Sequence, residues 1–233
     1  MYNKILKEIL SHKNEEKAQL LVRFFKTGQG QYGEGDKFLG ITVPVSRSIA
    51  KKYNELEFSD LSKLLENKYH EVRLIAILIL VHKYKKAKLE KDKKSIIRFY
   101  LKNTKYINNW DLVDLSAGYI VGEYLIYKNR NILEKLAKSK NLWERRVAII
   151  STFAFIYKGE SEWTFRIVSM LLNDKHDLIH KACGWMLREV GKRVGEDKLT
   201  KYLDTNSHKM PRTMLRYAIE RLPEKKRLYY LNK

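Results

Sequence analysis

Residues that favour the start of a helix recur along this chain at a fixed interval. Four of them are spaced 33 residues apart and a fifth precedes the first by 41 residues: Asn67, Asn108, Asn141, Asp174 and Ser207. Such residues cap a helix because their side chains accept hydrogen bonds from free backbone N–H groups. Three are followed after three residues by an acid, the spacing of a capping box: Asp111, Glu144 and Asp177. A repeat of this period predicts tandem helical units, each stabilised by its neighbours.

A short amphipathic segment precedes each cap, and a longer apolar segment follows it. The preceding segments are 61–66, 96–102, 132–138, 165–172 and 199–203. The following segments are 71–84, 111–127, 144–157, 178–192 and 211–221. The chain has only three prolines, and its apolar residues recur with helical rather than strand periodicity. We therefore expect an all-α protein, an α-solenoid of tandem antiparallel helix pairs that is superhelical, with the second helices lining a basic concave groove.

We expect a single domain over residues 1–233, with five helix pairs in 59–233 and a less regular segment in 1–58. Within that segment, 4–10 and 15–26 predict helices and 28–36 is rich in glycine. Gly28, Gly30 and Gly33 match the GxGxxG pattern of dinucleotide-binding proteins. That pattern needs a strand before it and a helix after it, whereas these glycines follow a helix and precede a loop. We interpret 28–40 as a loop, and leave open a role in clasping a ligand.

The charge of the chain favours a polyanionic partner. Forty-seven Lys and Arg against 27 Asp and Glu give a net charge of +20, spread over the whole sequence. Phosphate backbones attract such a surface, although lysines that only solvate the protein are the alternative. No apolar segment is long enough to span a bilayer, and the polar start of the chain resembles no signal peptide. We expect a cytoplasmic protein.

Cysteine and histidine usage argues against disulfides and metals. The single cysteine, Cys183, cannot form an intrachain disulfide and is expected in the core. The six histidines have no metal-ligand spacing, so we expect no metal and no cofactor.

The candidate residues for chemistry follow two of the caps. Trp110 and Asp114 lie at i and i+4 and share a helix face, while Asp111 has the capping-box position. Counted from the caps, Trp110, Asp114 and Arg146 span an arc of about 100° on equivalent helices, and we predict that they converge in one cleft. Alternatives stay open: the helix macrodipole favours an aspartate in a first turn, and Arg146 pairs with Asp114 in a purely structural reading. Trp110 would then be a core residue, as expected for its repeat equivalent, Trp143.

Four segments carry a resemblance to a known family. They are FLGI (38–41), NWDLVD (109–114), WERRVA (143–148) and GWMLRE (184–189). In this order and spacing, the sequence resembles the DNA alkylation repair glycosylases of the AlkD family, which are built from HEAT-like repeats. The similarity covers nearly the whole chain.

The resemblance implies a set of site residues. The family's catalytic aspartate corresponds to Asp114, with Trp110, Arg146 and Trp185 completing the site. The first three agree with the repeat register, but Trp185 lies eleven residues after Asp174 and would point elsewhere, unless its helix begins later than expected. For the aromatic residue that the family places near the lesion, the candidate here is Tyr32, because the glycine-rich insertion shifts the register.

The resemblance also implies a reaction: hydrolysis of the N-glycosidic bond of cationic N3- or N7-alkylated purines in duplex DNA, the first step of base excision repair. Asp114 would stabilise the oxocarbenium-like sugar and position water. The two tryptophans would face the cationic site, and Arg146 would hold a phosphate or orient Asp114. No lysine is singled out as a Schiff-base nucleophile, so we expect a monofunctional enzyme.

The expected partner is double-stranded DNA with alkylated purines. We expect phosphate contacts from Arg188, Lys209 and Arg212, a monomer without an obligate protein partner, and nucleoid association when the protein is bound to DNA. Two alternatives belong to other classes: a noncatalytic HEAT-like scaffold that binds nucleic acid, and a solenoid that docks onto an acidic protein.

Overall fold

The computed structural model describes all 233 residues, which form two compact units, Met1–Ser116 and Ala117–Lys233. The regular elements of both units are helices, and the only β feature is an isolated parallel bridge between Lys37 and Tyr69. The predicted all-α class with tandem helix pairs is confirmed. Single-domain organisation stays a prediction. None of the helices combines the length and apolar character needed to cross a membrane.

The first unit is built around its longest helix. Its helices are α1 (Tyr2–Ser11), α2 (Glu15–Phe24), α3 (Val43–Lys52), α4 (Phe58–Leu65), α5 (His70–Lys86), α6 (Glu90–Lys102) and α7 (Trp110–Asp114). The apolar run 72–80 of α5 is buried on all sides, as expected for a helix that is hydrophobic around its whole circumference. Helices α3 and α4 pack against it.

The second unit contains the later helix pairs. After a π-helical turn (Gly118–Gly122), its helices are α8 (Glu123–Leu125), α9 (Asn131–Ala137), α10 (Leu142–Ser151), α11 (Phe153–Tyr157), α12 (Glu162–Leu171), α13 (Asp177–Arg193), α14 (Glu196–Asn206), α15 (Arg212–Ile219) and α16 (Glu224–Asn232). Helix α13 packs against α10, α14 and α15. It contains Cys183, which is fully buried as predicted. Burial raises the pKa of the thiol.

The predicted helix over 111–127 is interrupted: α7 stops at Asp114, and the chain is helical again in the π-helical turn Gly118–Gly122 and in α8. The hydroxyl of Ser116 donates a hydrogen bond to the carbonyl oxygen of Leu112 at 2.6 Å. In a continuous α-helix, that carbonyl would accept a hydrogen bond from the backbone N–H of Ser116. That amide bonds instead to the carbonyl of Val113. Such competition by a side chain for a helix carbonyl destabilises and bends helices, and it coincides here with the end of α7.

The predicted helix over 144–157 is interrupted for a similar reason. Ser151 and Thr152 donate their hydroxyls to the carbonyls of Val147 and Ile149 at 2.6 and 2.7 Å. The chain consequently forms α10 and α11 with Thr152 between them. Helices α3 and α16 were not predicted, although each begins beside a proline, Pro44 or Pro223, which is a common position for proline at a helix start.

Most of the predicted caps lie just before the true helix starts. Asn141 is the N-cap of α10, as predicted. The other starts come later, and the N-caps are Tyr69, Asn109, His176 and Pro211. The side chains of Asn67 and Asp174 instead each accept a hydrogen bond from the backbone N–H two residues later. These bonds form tight turns that lead into α5 and α13.

Candidate active site

The short helix α7 carries two of the predicted site residues, Trp110 and Asp114, as its first and last residues. Both side chains are partly buried. The N-cap is Asn109, whose Oδ1 accepts the backbone N–H of Trp110 at 2.8 Å. A five-residue helix has no stability of its own. Its position must therefore be imposed by contacts at its ends.

The start of α7 is held by a buried polar cluster. Asp36, in the loop before α3, accepts a hydrogen bond from the side-chain amide of Asn109 at 3.0 Å and another from the guanidinium of Arg73 at 2.6 Å. His70, at the start of α5, lies between two carboxylates. Its Nε2 is 2.8 Å from Asp111 Oδ2, and its Nδ1 is 3.4 Å from Asp36 Oδ2. The predicted capping-box role of Asp111 is thus wrong, because Asp111 binds His70 and the Leu112 amide.

The titration of this cluster follows from its charges. Burial alone would lower the pKa of His70, but the carboxylates of Asp111 and Asp36 outweigh burial and raise that pKa to about 9. Burial also opposes ionisation of Asp36, whose pKa is nevertheless lowered by hydrogen bonding to His70 and by the charge of Arg73. At neutral pH the cluster therefore contains two carboxylates, one imidazolium and one guanidinium.

The same region anchors the loop that follows the glycine-rich segment. The carboxylate of Glu71, next to His70, accepts the backbone N–H groups of Leu39, Gly40 and Ile41 at 2.8–3.2 Å. Gly40 has a φ of +80°, and a Cβ there would lie 2.0 Å from the carbonyl oxygen of Asn14. No larger residue fits at this position. Residues 36–41 are thus tied to α5 through both backbone and side chains.

Aromatic rings cover the cluster and contact Trp110. Phe25 stacks on Trp110 with centroids 5.3 Å apart, on Phe38 at 5.0 Å, and lies 4.8 Å from the ring of His70. Phe24 meets Trp110 edge to face at 6.0 Å and is 63% exposed. Trp110 therefore packs against these rings while remaining only partly buried. The sequence interpretation missed Phe24, Phe25, and the roles of Asp36 and His70.

Asp114 lies where the helix macrodipole does not favour it. The alternative explanation for this residue placed it near a helix start, but α7 ends at Asp114. A carboxylate at a C-terminus faces the negative end of the dipole. The negative charge of Asp114 affects the titration of Tyr100. Burial is the main cause of the raised pKa of Tyr100, and the charge of Asp114 raises that pKa further. The macrodipole therefore does not account for an acid at this position.

Arg146 and Trp185 belong to the second unit. Arg146, in α10, is 5% exposed and donates from Nη1 to the carbonyl oxygen of Leu178 at 2.6 Å. Trp185, in α13, is partly buried, with its ring 6.0 Å from that of Phe153. Trp143, expected in the core, is buried.

The observed helix starts remove the discrepancy at Trp185. Counted from the N-caps of α7, α10 and α13, Trp110 is the first residue, Asp114 and Arg146 are each the fifth, and Trp185 is the ninth. At about 100° per residue these positions fall within about 80° on their own helices. Each residue thus occupies the corresponding face of its helix, and their convergence in one site stays a prediction.

Comparison with known proteins identifies the family. The family model for DNA alkylation repair enzymes matches residues 5–222. The chain belongs to this family. No curated protein matches the sequence. Among solved structures, a chain described as a predicted DNA alkylation repair enzyme from Enterococcus faecalis has a TM-score of 0.68 and 18% identity, covering 91% of this chain and 98% of that one. At this identity, the likeness establishes a shared fold.

The three basic residues expected to contact phosphates differ in their protein partners. Arg188 forms an ion pair with Glu220. Arg212 donates to the carbonyl oxygen of Leu231 at 2.9 Å, near the end of α16. Lys209 is exposed in a 3₁₀ turn. Lys209 and Arg212 are exposed and Arg188 is partly buried, and their contacts with DNA stay a prediction.

The aromatic residue proposed near the lesion is likewise untested. Tyr32 lies within the loop 28–36 and is partly buried. The loop contains turns and neither a strand nor a helix, in agreement with the rejection of a dinucleotide-binding motif. The rings that the structure brings against Trp110 include Phe24 and Phe25, at the end of α2.

Proposed function

We propose that the protein is a DNA glycosylase that releases cationic N3- and N7-alkylated purines from duplex DNA. The observation that carries this proposal is the arrangement of α7. It presents a partly buried tryptophan and, four residues later, a carboxylate at the unfavourable end of the helix, in a family of DNA alkylation repair enzymes. The net charge of +20 suits a DNA partner.

The chemistry proposed suits a single carboxylate. An alkylated purine of this kind already carries a positive charge. When its C1′–N bond breaks, the bonding electrons neutralise the base, and the positive charge moves to the sugar. Water then adds to C1′ and loses a proton, leaving an abasic site. The difficult species is the oxocarbenium-like sugar, which a preorganised carboxylate stabilises.

The residues divide these tasks in the proposal. Asp114 stabilises the cationic sugar and accepts or directs the proton of the attacking water. Trp110 offers its partly exposed ring to the lesion, where a desolvated cation–π contact contributes about 2 kcal/mol. We propose that Arg146 and Trp185 act in the same reaction, because they occupy the corresponding positions of α10 and α13. Asp111 has no direct role, since its carboxylate is bound to His70.

The direct test is Asp114→Asn. We expect single-turnover release of 7-methylguanine from a methylated duplex to fall at least about 100-fold, as when one group that stabilises transition-state charge is removed. Duplex affinity, measured by fluorescence anisotropy, should change little. The control is Asp92→Asn, which makes the same change at an exposed acid in the first turn of α6 and should retain the wild-type rate.

Two outcomes would contradict the proposal. If Asp114→Asn released base at the wild-type rate, Asp114 would not be the catalytic carboxylate. If the wild-type protein bound the duplex but released no base at stoichiometric enzyme, it would be a noncatalytic nucleic-acid-binding scaffold.

A further inference from the structure

We propose that His70 is a positioning residue: its imidazole ring, which lies between the carboxylates of Asp36 and Asp111, fixes the start of α7 and thereby places Trp110 and Asp114. This inference rests on the proposed function where it concerns the reaction. Its structural part concerns the first unit alone and can be tested without activity.

Helix α7 is too short to hold itself in place, because it has only five residues. The cluster contacts its beginning at two points, through Asn109 to Asp36 at 3.0 Å and through Asp111 to His70 at 2.8 Å. Both contacts lead to the first turn of α5, because Asp36 is itself bound by His70 and Arg73. A long buried helix thus serves as the fixed support for a short one.

The charged groups around His70 balance one another. The charged groups that face His70 are Asp36 from the loop, Asp111 from α7 and Arg73 from its own helix. Asp36, His70 and Arg73 are each less than 10% exposed. With a protonated imidazole, two cations match two anions. Loss of that proton leaves a buried carboxylate without a matching cation, which is strongly unfavourable and loosens the contact with Asp111.

The imidazole of His70 and the indole of Trp110 share an aromatic neighbour, Phe25. The ring of Phe25 contacts both, at 4.8 Å from His70 and 5.3 Å from Trp110. Phe38 stacks on His70 from the same layer, at 4.9 Å. A cation next to aromatic faces is attracted by their quadrupoles. The charge on His70 therefore acts on the support of Trp110 as well as on Asp111.

A spectroscopic titration tests the structural part. The readout is the fluorescence of Trp110, obtained as the difference between each protein and its Trp110→Phe counterpart, from pH 6 to pH 10.5. We expect a transition near pH 9 that is absent in His70→Gln. The control is His82→Gln, on the same helix. Burial and neighbouring lysines lower the pKa of His82, so it is uncharged at neutral pH, and this variant should keep the transition.

A charge-balanced variant tests the coupling. Asp111→Asn alone and His70→Gln alone each leave the cluster unbalanced, whereas the double variant restores neutrality. We expect each single variant to lower single-turnover base release by about 10- to 100-fold at unchanged duplex affinity, because a displacement near 1 Å can cost about 100-fold. The double variant should recover at least tenfold over the worse single variant, a gain that general destabilisation does not produce.

The possible results separate the two proposals. A wild-type protein that releases no base refutes the proposed glycosylase, while the fluorescence titration still decides the position of Trp110. If the transition persists in His70→Gln, or if the effects of the two single variants are simply additive in an active enzyme, His70 does not position α7.

Discussion

At the residue scale, the two aspartates of α7 differ in what surrounds them. Asp111 is buried and bound to a protonated histidine, whereas Asp114 is partly exposed at the end of the helix. Spacing along the sequence distinguishes the two acids and selects Asp114. It does not identify the partner of Asp111, because His70 is 41 residues away and reaches Asp111 only through tertiary structure. Pairing across such a distance leaves no local pattern.

The raised pKa of His70 makes stability depend on pH. The folded-state pKa of about 9 lies above the ordinary value of 6.5. The stabilisation is therefore complete below pH 6.5 and is lost as the pH rises through about 9. At about 1.4 kcal/mol per pKa unit, this corresponds to about 3 kcal/mol.

Urea unfolding of the wild type and His70→Gln checks this at several pH values. The difference in unfolding free energy between the two proteins should shrink between pH 6 and pH 10. A difference that is the same at both ends would mean that His70 carries no such charge in the folded protein.

At the element scale, the existence of most helices could be predicted, but their ends could not. Helical periodicity identified α5, α10, α13 and their partners, since it reflects which face each helix buries. The breaks after Asp114 and Ser151 depend on whether a hydroxyl takes a helix carbonyl. Whether a serine makes such a bond is decided by its tertiary surroundings and not by local sequence. A two-residue error in the start of α13 was enough to misplace Trp185 by about 200°.

The close packing of α13 on α15 gives an element-scale prediction. A Cβ at Gly184 would lie 2.4 Å from the carbonyl oxygen of Met214 and 2.5 Å from the Cβ of Tyr217. Gly184→Ala should therefore force the two helices apart and lower the unfolding free energy by about 1–3 kcal/mol, measured by urea denaturation.

The matched control is Gly118→Ala, also in the second unit. Its added Cβ would meet its nearest neighbours at 3.6 Å or more, an ordinary contact distance. This variant should be nearly as stable as the wild type. Equal stability of the two variants would contradict the proposed tight approach of α13 and α15.

At the scale of the whole molecule, charge and family membership point to DNA. The basic residues are spread through both units, and several of them already have protein partners, as Arg188 and Arg212 do. We therefore expect fewer phosphate contacts than there are Lys and Arg residues in the chain. Composition alone indicates a polyanion and cannot identify the individual contacts.

Salt dependence measures that number. We expect the logarithm of duplex affinity to fall linearly with the logarithm of salt concentration, with a slope of about −4 or steeper, which corresponds to about four or more neutralised phosphates. Fluorescence anisotropy with an undamaged duplex at several salt concentrations provides the measurement. A slope near zero, or no binding at low salt, would favour an acidic protein as the partner.

A glycosylase that recognises the charge of the lesion should release methylated purines and leave neutral damaged bases in place, which mass spectrometry of the released bases measures. The wild-type protein is incubated with a methylated duplex and with a duplex containing hypoxanthine, a neutral damaged base. We expect release of 3-methyladenine and 7-methylguanine, no release of hypoxanthine, and loss of all release in Asp114→Asn. Release of hypoxanthine at a comparable rate, or no release of either methylated base, would contradict it.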